Sequence, residues 1–92
     1  MVWRGPSERE AGEQALVLRA MDIEQHSNVI YEAMHVFERA VDPKDKATHC
    51  DRVIAAAKHL MRYETKGLET CSPPAKLVLD EYSGFRKGLG SA

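Results

Sequence analysis

The feature that most restricts the fold is an apolar seam in the first half of the chain. Its members recur at alternating steps of four and three residues, and only the fourth is polar: Leu16, Ala20, Ile23, Ser27, Ile30, Met34, Phe37 and Val41. This spacing places them along one side of an α-helix. No proline interrupts the chain between Pro6 and Pro43. The pattern predicts one long helix from about Ser7 to Val41, preceded by a flexible tail over residues 1–6.

A second seam begins directly after an Asp-Pro pair. Asp42 can cap a helix through its carboxylate, and Pro43 suits the first helical position. The same rhythm follows, with one polar exception at Glu64: Ala47, Cys50, Ile54, Ala57, Met61, Glu64 and Leu68. Gly67 followed by Leu68 is typical of a helix end at which glycine turns the chain and the next apolar residue folds back. The second helix is therefore predicted over residues 43–66.

A third, shorter helix is predicted after the sequence Ser72-Pro73-Pro74. Ser72 is a candidate cap, and proline is favoured at a helix start. Apolar residues again recur at three and four: Ala75, Val78, Tyr82, Phe85 and Leu89. We expect this helix over residues 73–87. Residues 7–92 then form a single helical domain.

The short Asp42-Pro43 connection predicts that the first two helices are antiparallel neighbours. Folding about residue 44 would place Glu32 near Ala56, His35 near Val53, and His26 within about a turn of His59. The first helix would be about 50 Å long and the second about 36 Å, so the N-terminal stretch would overhang. The predicted fold is all-α: a long antiparallel hairpin plus a short C-terminal helix, dimerising into a four-helix bundle. The alternative is a monomeric three-helix bundle.

The apolar seams also predict which residues lie in the core. Ile30 in the first seam and Ile54 in the second are both expected there. Cys50 lies on the second seam and is predicted to be a buried thiol. Cys50 and Cys71 would lie about 30 Å apart near opposite ends of one helix, beyond disulfide reach. We therefore expect reduced thiols and a cytoplasmic protein.

Composition restricts the classes of partner. The chain is 43% hydrophobic and 29% charged, with a net charge of −1, which is ordinary for a globular domain. Proteins that bind nucleic acid without sequence preference usually carry a clear positive excess, so nucleic acid is not favoured as a partner. No window approaches about 18 consecutive apolar residues, so no membrane span is predicted.

One pair of residues has the spacing of a metal site. Glu32 and His35 are three apart and share a helix face, and di-iron carboxylate bundles use this spacing. The second helix holds no second copy of the pattern, although a symmetric dimer would bring two copies together. A solvated helix face is the default explanation of the pair. The sequence therefore predicts neither a metal nor another cofactor, and Glu32 and His35 stay the candidates.

Four residues are candidates for contacting a partner. Lys58, Arg62 and Lys66 recur every four residues and form a basic ridge at the end of the second helix. They also complement the negative end of the helix dipole, which is a structural reason for the same pattern. Trp3 in the tail is a large aromatic anchor of the kind found at binding surfaces.

No catalytic constellation is recognisable in the sequence. The predicted function is therefore a small, non-enzymatic helical interaction or regulatory protein that forms a homodimer and binds a protein partner. Two alternatives stay open: a nucleic-acid-binding regulator that uses the basic ridge, and a metal-binding dimer of helical bundles.

Overall fold

The computed structural model describes the backbone of residues 8–90 and the side chains of residues 12–90. Three helices are present: α1 (Glu8–Arg39), α2 (Pro43–Glu64) and α3 (Ala75–Gly88). No strand occurs within this described part of the chain, which confirms the all-α prediction. The predicted tail over residues 1–6 and the proposed start at Ser7 lie outside the described residues.

The hairpin between α1 and α2 forms as the sequence predicts. The backbone N–H of Lys44 donates to Asp42 Oδ1 at 2.9 Å, and Pro43 occupies the start of α2. The register differs from the prediction, however. Glu32 Oε1 lies 3.7 Å from Arg52 Nη2, about one helical turn away from its predicted neighbour Ala56. The reason is that α1 ends at Arg39, before Val41, so the chain reverses earlier than residue 44.

Helix α2 packs against both of the other helices, and the Phe37 ring of α1 also contacts the rings of Tyr82 and Phe85 of α3. The shared core contains two residues of α1, five of α2 and three of α3: Ile30, Ala33, Cys50, Val53, Ala56, Ala57, Leu60, Ala75, Val78 and Tyr82. Alanines at four of these positions leave room for the helices to approach closely, while the larger side chains fill the remaining space. Ile30 is completely buried, as predicted. Ile54 is half-buried and packs against the core instead of lying within it.

Both thiols are free, in agreement with the prediction of unpaired cysteines. Cys50 is fully buried and its Sγ donates to the carbonyl oxygen of Tyr82 at 3.1 Å. Burial is the main cause of the raised pKa of this thiol. Cys50 therefore joins α2 to α3 as a packed, protonated side chain.

The end of α2 is a glycine-terminated turn. Gly67 has a φ of +82°, and the backbone N–H of Leu68 donates to the carbonyl oxygen of Tyr63 at 3.1 Å. A second bond joins Gly67 N–H to the Glu64 carbonyl oxygen at 2.9 Å. This is the Schellman motif that the Gly67-Leu68 pair predicts. The helix itself ends at Glu64, two residues before the predicted end.

The start of α3 is capped by a distant residue, which corrects the prediction of a Ser72 cap. Pro74 precedes the helix and offers no capping side chain. Glu64 of α2 instead accepts hydrogen bonds from the backbone N–H groups of Ala75 at 2.6 Å and Lys76 at 3.0 Å. The Thr70 hydroxyl also donates to Glu64. A carboxylate at this place satisfies helix N–H groups and the helix dipole together.

The polar member of the first seam holds the same connection. Ser27 is buried, and its hydroxyl donates to the carbonyl oxygen of Thr70 at 3.0 Å. The Tyr31 hydroxyl accepts from the backbone N–H of Ser72 at 3.0 Å. The two polar exceptions in the seams, Ser27 and Glu64, therefore both anchor the α2–α3 connection.

None of the helices in the described part of the chain combines the length and the apolar character that crossing a membrane requires.

The burial difference between Ile30 and Ile54 gives a test of the core. Ile30→Ala should lower the free energy of unfolding by about 2–5 kcal/mol, because it leaves a cavity between α1 and α2. Ile54→Ala should lower the free energy of unfolding by clearly less than Ile30→Ala does, since the Ile54 side chain is only half-buried. Urea unfolding of both variants measures this. A larger loss for Ile54→Ala would contradict the observed register.

The Glu64 cap predicts a specific pH dependence. Burial acts to raise the pKa of Glu64, but the hydrogen bonds from Thr70, Ala75 and Lys76 outweigh it, so the pKa lies below its ordinary value of 4.5. A lowered folded-state pKa contributes stability that is present above 4.5 and lost as the pH falls through the folded-state value. Glu64→Gln should therefore be less stable at neutral pH and lose less stability on acidification. Thermal unfolding at a series of pH values measures both; parallel curves would contradict the cap.

Candidate functional site

The first part of α1 extends beyond the core, and we call residues 8–21 the N-terminal arm. The described part of the chain is 64 Å long but only 24 by 20 Å in cross-section. Four large apolar side chains of the arm are more than half exposed: Leu16 54%, Val17 58%, Leu18 65% and Met21 59%. A helix that carries apolar residues around so much of its circumference normally lies against another element. The arm is therefore a candidate interaction surface.

A second notable feature, the histidine cluster, lies where the arm meets α2. It consists of Asp22 and His26 on α1 and His59 and Tyr63 on α2. Each pair is four residues apart, so its two side chains share one helix face. The imidazole rings of His26 and His59 stack with centroids 3.7 Å apart and an interplanar angle of 11°. The sequence predicted that these two histidines approach each other, and the stack confirms it.

Asp22 is the common acceptor of the cluster. His59 Nε2 lies 2.7 Å from Asp22 Oδ2, and the Tyr63 hydroxyl donates to the same oxygen. His26 Nδ1 lies 3.1 Å from Asp22 Oδ1 and 2.8 Å from the Asp22 carbonyl oxygen. One carboxylate thus joins three side chains across the two helices.

The electrostatics follow from these contacts. Hydrogen bonds from Tyr63 and His59 are the main reason that the pKa of Asp22 lies below its ordinary value. The same bond to Asp22 raises the pKa of Tyr63. Asp22 is therefore an ionised acceptor and Tyr63 a neutral donor at neutral pH.

The cluster remains accessible to solvent. The side chains of Asp22, His26 and His59 retain between 24% and 29% of their accessible surface. Each offers one ligand atom, and these three atoms lie within 4.8 Å of one another. Glu32 and His35, the candidates from the sequence, are not part of this group. Glu32 is exposed beside Arg52, and His35 is exposed on α1.

The partner-binding candidates from the sequence lie on the surface or outside the described residues. Lys58, Arg62 and Lys66 are all exposed. Lys66 follows the end of α2, so the basic ridge is helical only over its first two members. Arg62 Nε donates to the carbonyl oxygen of His59 within its own helix. Trp3 lies outside the described residues.

Sequence reasoning missed Asp22 and Tyr63. A signal was present, because Asp22 is four residues before His26 and Tyr63 is four residues after His59. Only the true register of the hairpin brings the two pairs together. The predicted register was displaced by about a turn and did not reveal the contact.

Comparison of the chain with protein-family models, with curated proteins and with solved structures gave no match.

The shared carboxylate predicts that the cluster acts as one unit. Asp22→Asn and Tyr63→Phe should each lower the melting temperature, because each removes part of the same hydrogen-bond network. In the double variant, Tyr63→Phe should add little to the effect of Asp22→Asn, since its acceptor is already weakened. Glu24→Gln, at an exposed position of the same helix, is the control and should melt like the unaltered chain. Strictly additive effects would contradict the network.

Proposed function

We propose that this chain is a small, non-enzymatic helical interaction protein that forms a homodimer through its N-terminal arm. The observation that carries the proposal is the exposure of Leu16, Val17, Leu18 and Met21 on a helical segment outside the core. These side chains lie close together in sequence and are not scattered over the surface. Contiguous exposed apolar surface of this kind marks interaction sites.

The length of the arm supports association. It spans about 21 Å as a helix, and an isolated helix of this length is marginal in water. Gly12 lowers its intrinsic helical stability further. An arm that is helical and apolar gains stability when a partner covers it, because packing of an apolar face supplies most of the stability of helices in proteins.

A second copy of the chain is the partner that fits best. Leu16 and Ala20 continue the seam that α2 covers farther along α1, so the arm offers the surface on which another helix would extend the hairpin. The arm of a second copy has the same length, and a two-fold arrangement pairs identical surfaces without any further component. The net charge of −1 opposes this association only weakly.

This dimer buries less of the apolar seams between the two chains than a four-helix bundle of two complete hairpins would bury. Ile30 and Ala33 of α1 are already completely buried within one chain, as are Val53 and Leu60 of α2. The arm carries the seam residues Leu16 and Ala20, which remain exposed, beside the exposed side chains of Val17, Leu18 and Met21. The dimer would therefore be elongated, with the two cores at opposite ends.

Light scattering behind size exclusion, over a wide range of concentrations, tests the proposal. The unaltered chain should reach twice its mass of 10.3 kDa. Leu16→Lys should shift the equilibrium to the monomer, because it places a charge within the apolar contact. The helical content of the core should persist in this variant, which circular dichroism measures.

Leu77→Lys is the matched control. Leu77 lies on α3 and is 57% exposed, close to the 54% of Leu16. This variant should dimerise like the unaltered chain. A monomer at every concentration would overturn the proposal, and equal weakening by both substitutions would move the interface away from the arm.

A further inference from the structure

We propose that Asp22, His26 and His59 form a binding site for one divalent transition-metal ion of the Zn²⁺ class. The site lies within one chain and joins α1 to α2. It is distinct from the arm surface and from the Glu32 and His35 pair. Neither the dimer proposed above nor a second chain is needed to complete it.

The donor set suits this class of metal. Two imidazole nitrogens and one carboxylate oxygen are ligands that Zn²⁺ uses in proteins, at distances of about 2.0–2.2 Å. Neighbouring donors around a tetrahedral ion then lie about 3.3 Å apart. In the structure, His59 Nε2 and Asp22 Oδ2 are 2.7 Å apart, and one ring nitrogen of His26 completes a group of three ligand atoms within 4.8 Å of one another. Binding would require the stacked rings of His26 and His59 to rotate apart, so that a lone pair of each ring points at the same ion.

The hydrogen bond of His26 prepares its other nitrogen for coordination. The Asp22 carbonyl oxygen can only accept, so the 2.8 Å contact requires the His26 proton to be on Nδ1. A neutral ring with its proton on Nδ1 carries a lone pair on Nε2. Metal-binding histidines commonly donate their second N–H to a backbone carbonyl in this way, which fixes the tautomer and the orientation of the ring.

Tyr63 supplies the outer support for the carboxylate. Its hydroxyl donates to Asp22, and a donor of this kind orients a metal-binding carboxylate. Coordination would require the His59 ring to carry its proton on Nδ1, so that Nε2, which now contacts Asp22, presents its lone pair to the ion. Because the three side chains are about a quarter exposed, water can reach the ion and fill the fourth position of a tetrahedral site.

The position of the donors on rigid elements favours binding. Asp22 and His26 are four residues apart in the same helix, and His59 is held opposite them by the α1–α2 packing. The backbone positions of the three ligands are therefore fixed by two packed helices, and the change on binding is confined to their side chains.

Titration of the full chain with Zn²⁺ tests the site, with no histidine tag and under conditions that keep the thiols reduced. One ion should bind per chain. His26→Gln and His59→Gln should each weaken binding by at least about tenfold, because loss of even an outer support costs about 10–100-fold. Tyr63→Phe should weaken binding while the stoichiometry stays the same.

The chain offers matched controls on the same two helices. His35→Gln on α1 and His49→Gln on α2 each remove an imidazole outside the site, and Cys71→Ser removes the partly exposed thiol. All three should bind Zn²⁺ like the unaltered chain. Absence of binding by the unaltered chain, one ion per two chains, or equal losses in the controls would overturn the proposal.

A measurement on the unaltered chain keeps the test independent of variant folding. Co²⁺ should give the visible bands of a four-coordinate nitrogen and oxygen site, without a thiolate charge-transfer band. In the NMR spectrum, Zn²⁺ should shift the ring resonances of His26 and His59 and leave those of His35 and His49 unchanged. Thiolate bands, or shifts at all four histidines, would show that the ion binds elsewhere.

Discussion

Helix α2 packs against both α1 and α3 in one shared core, and the remaining features of the molecule depend on this arrangement. Five of the ten core residues belong to α2, and three of them are completely buried apolar side chains: Val53, Ala57 and Leu60. Neither α1 nor α3 alone could cover all the buried residues of α2. A chain of this size has little core to spare, because small domains bury a low fraction of their surface. The α2–α3 connection is therefore as important to the fold as the hairpin.

Polar residues within the apolar seams control that connection. Ser27 binds the carbonyl of Thr70, and Glu64 binds the hydroxyl of the same residue and the first N–H groups of α3. Two positions that interrupt the hydrophobic pattern thus hold one loop from two helices. A buried polar group is tolerated when its hydrogen bonds are satisfied, and here the partners are the Thr70 hydroxyl and backbone groups of the connection and of the first turn of α3. Ser27 and Glu64, the two polar residues that interrupt the apolar seams, are therefore the residues that position α3.

The sequence predicts local features well and non-local features less well, for a physical reason. The helices predicted from the three-and-four spacing, the Asp42 cap and the Gly67 turn all depend on neighbours along the chain, and the structure contains all of them. The cap of α3 comes from Glu64, far from Ser72 along the chain, and no local pattern reports such a partner. The register of the α1–α2 hairpin is also hard to predict, because it depends on contacts between residues that are far apart along the chain. The predicted register was displaced by about one helical turn. It therefore placed Glu32 near Ala56 instead of Arg52 and did not reveal the contact of Asp22 with His59.

The histidine cluster and the arm are connected by the geometry of α1. Asp22 is the residue at which α1 passes from packed to exposed, since its side chain bonds to α2 and Leu18, one turn earlier, is 65% exposed. The direction in which the arm leaves the core is therefore set at the cluster. The hydrogen bonds that Asp22 accepts from His59 and Tyr63 hold this part of α1 against α2 at the edge of the apolar core. A helix that is fixed at its base presents its apolar side chains in one orientation. This lowers the entropic cost of binding a partner to them.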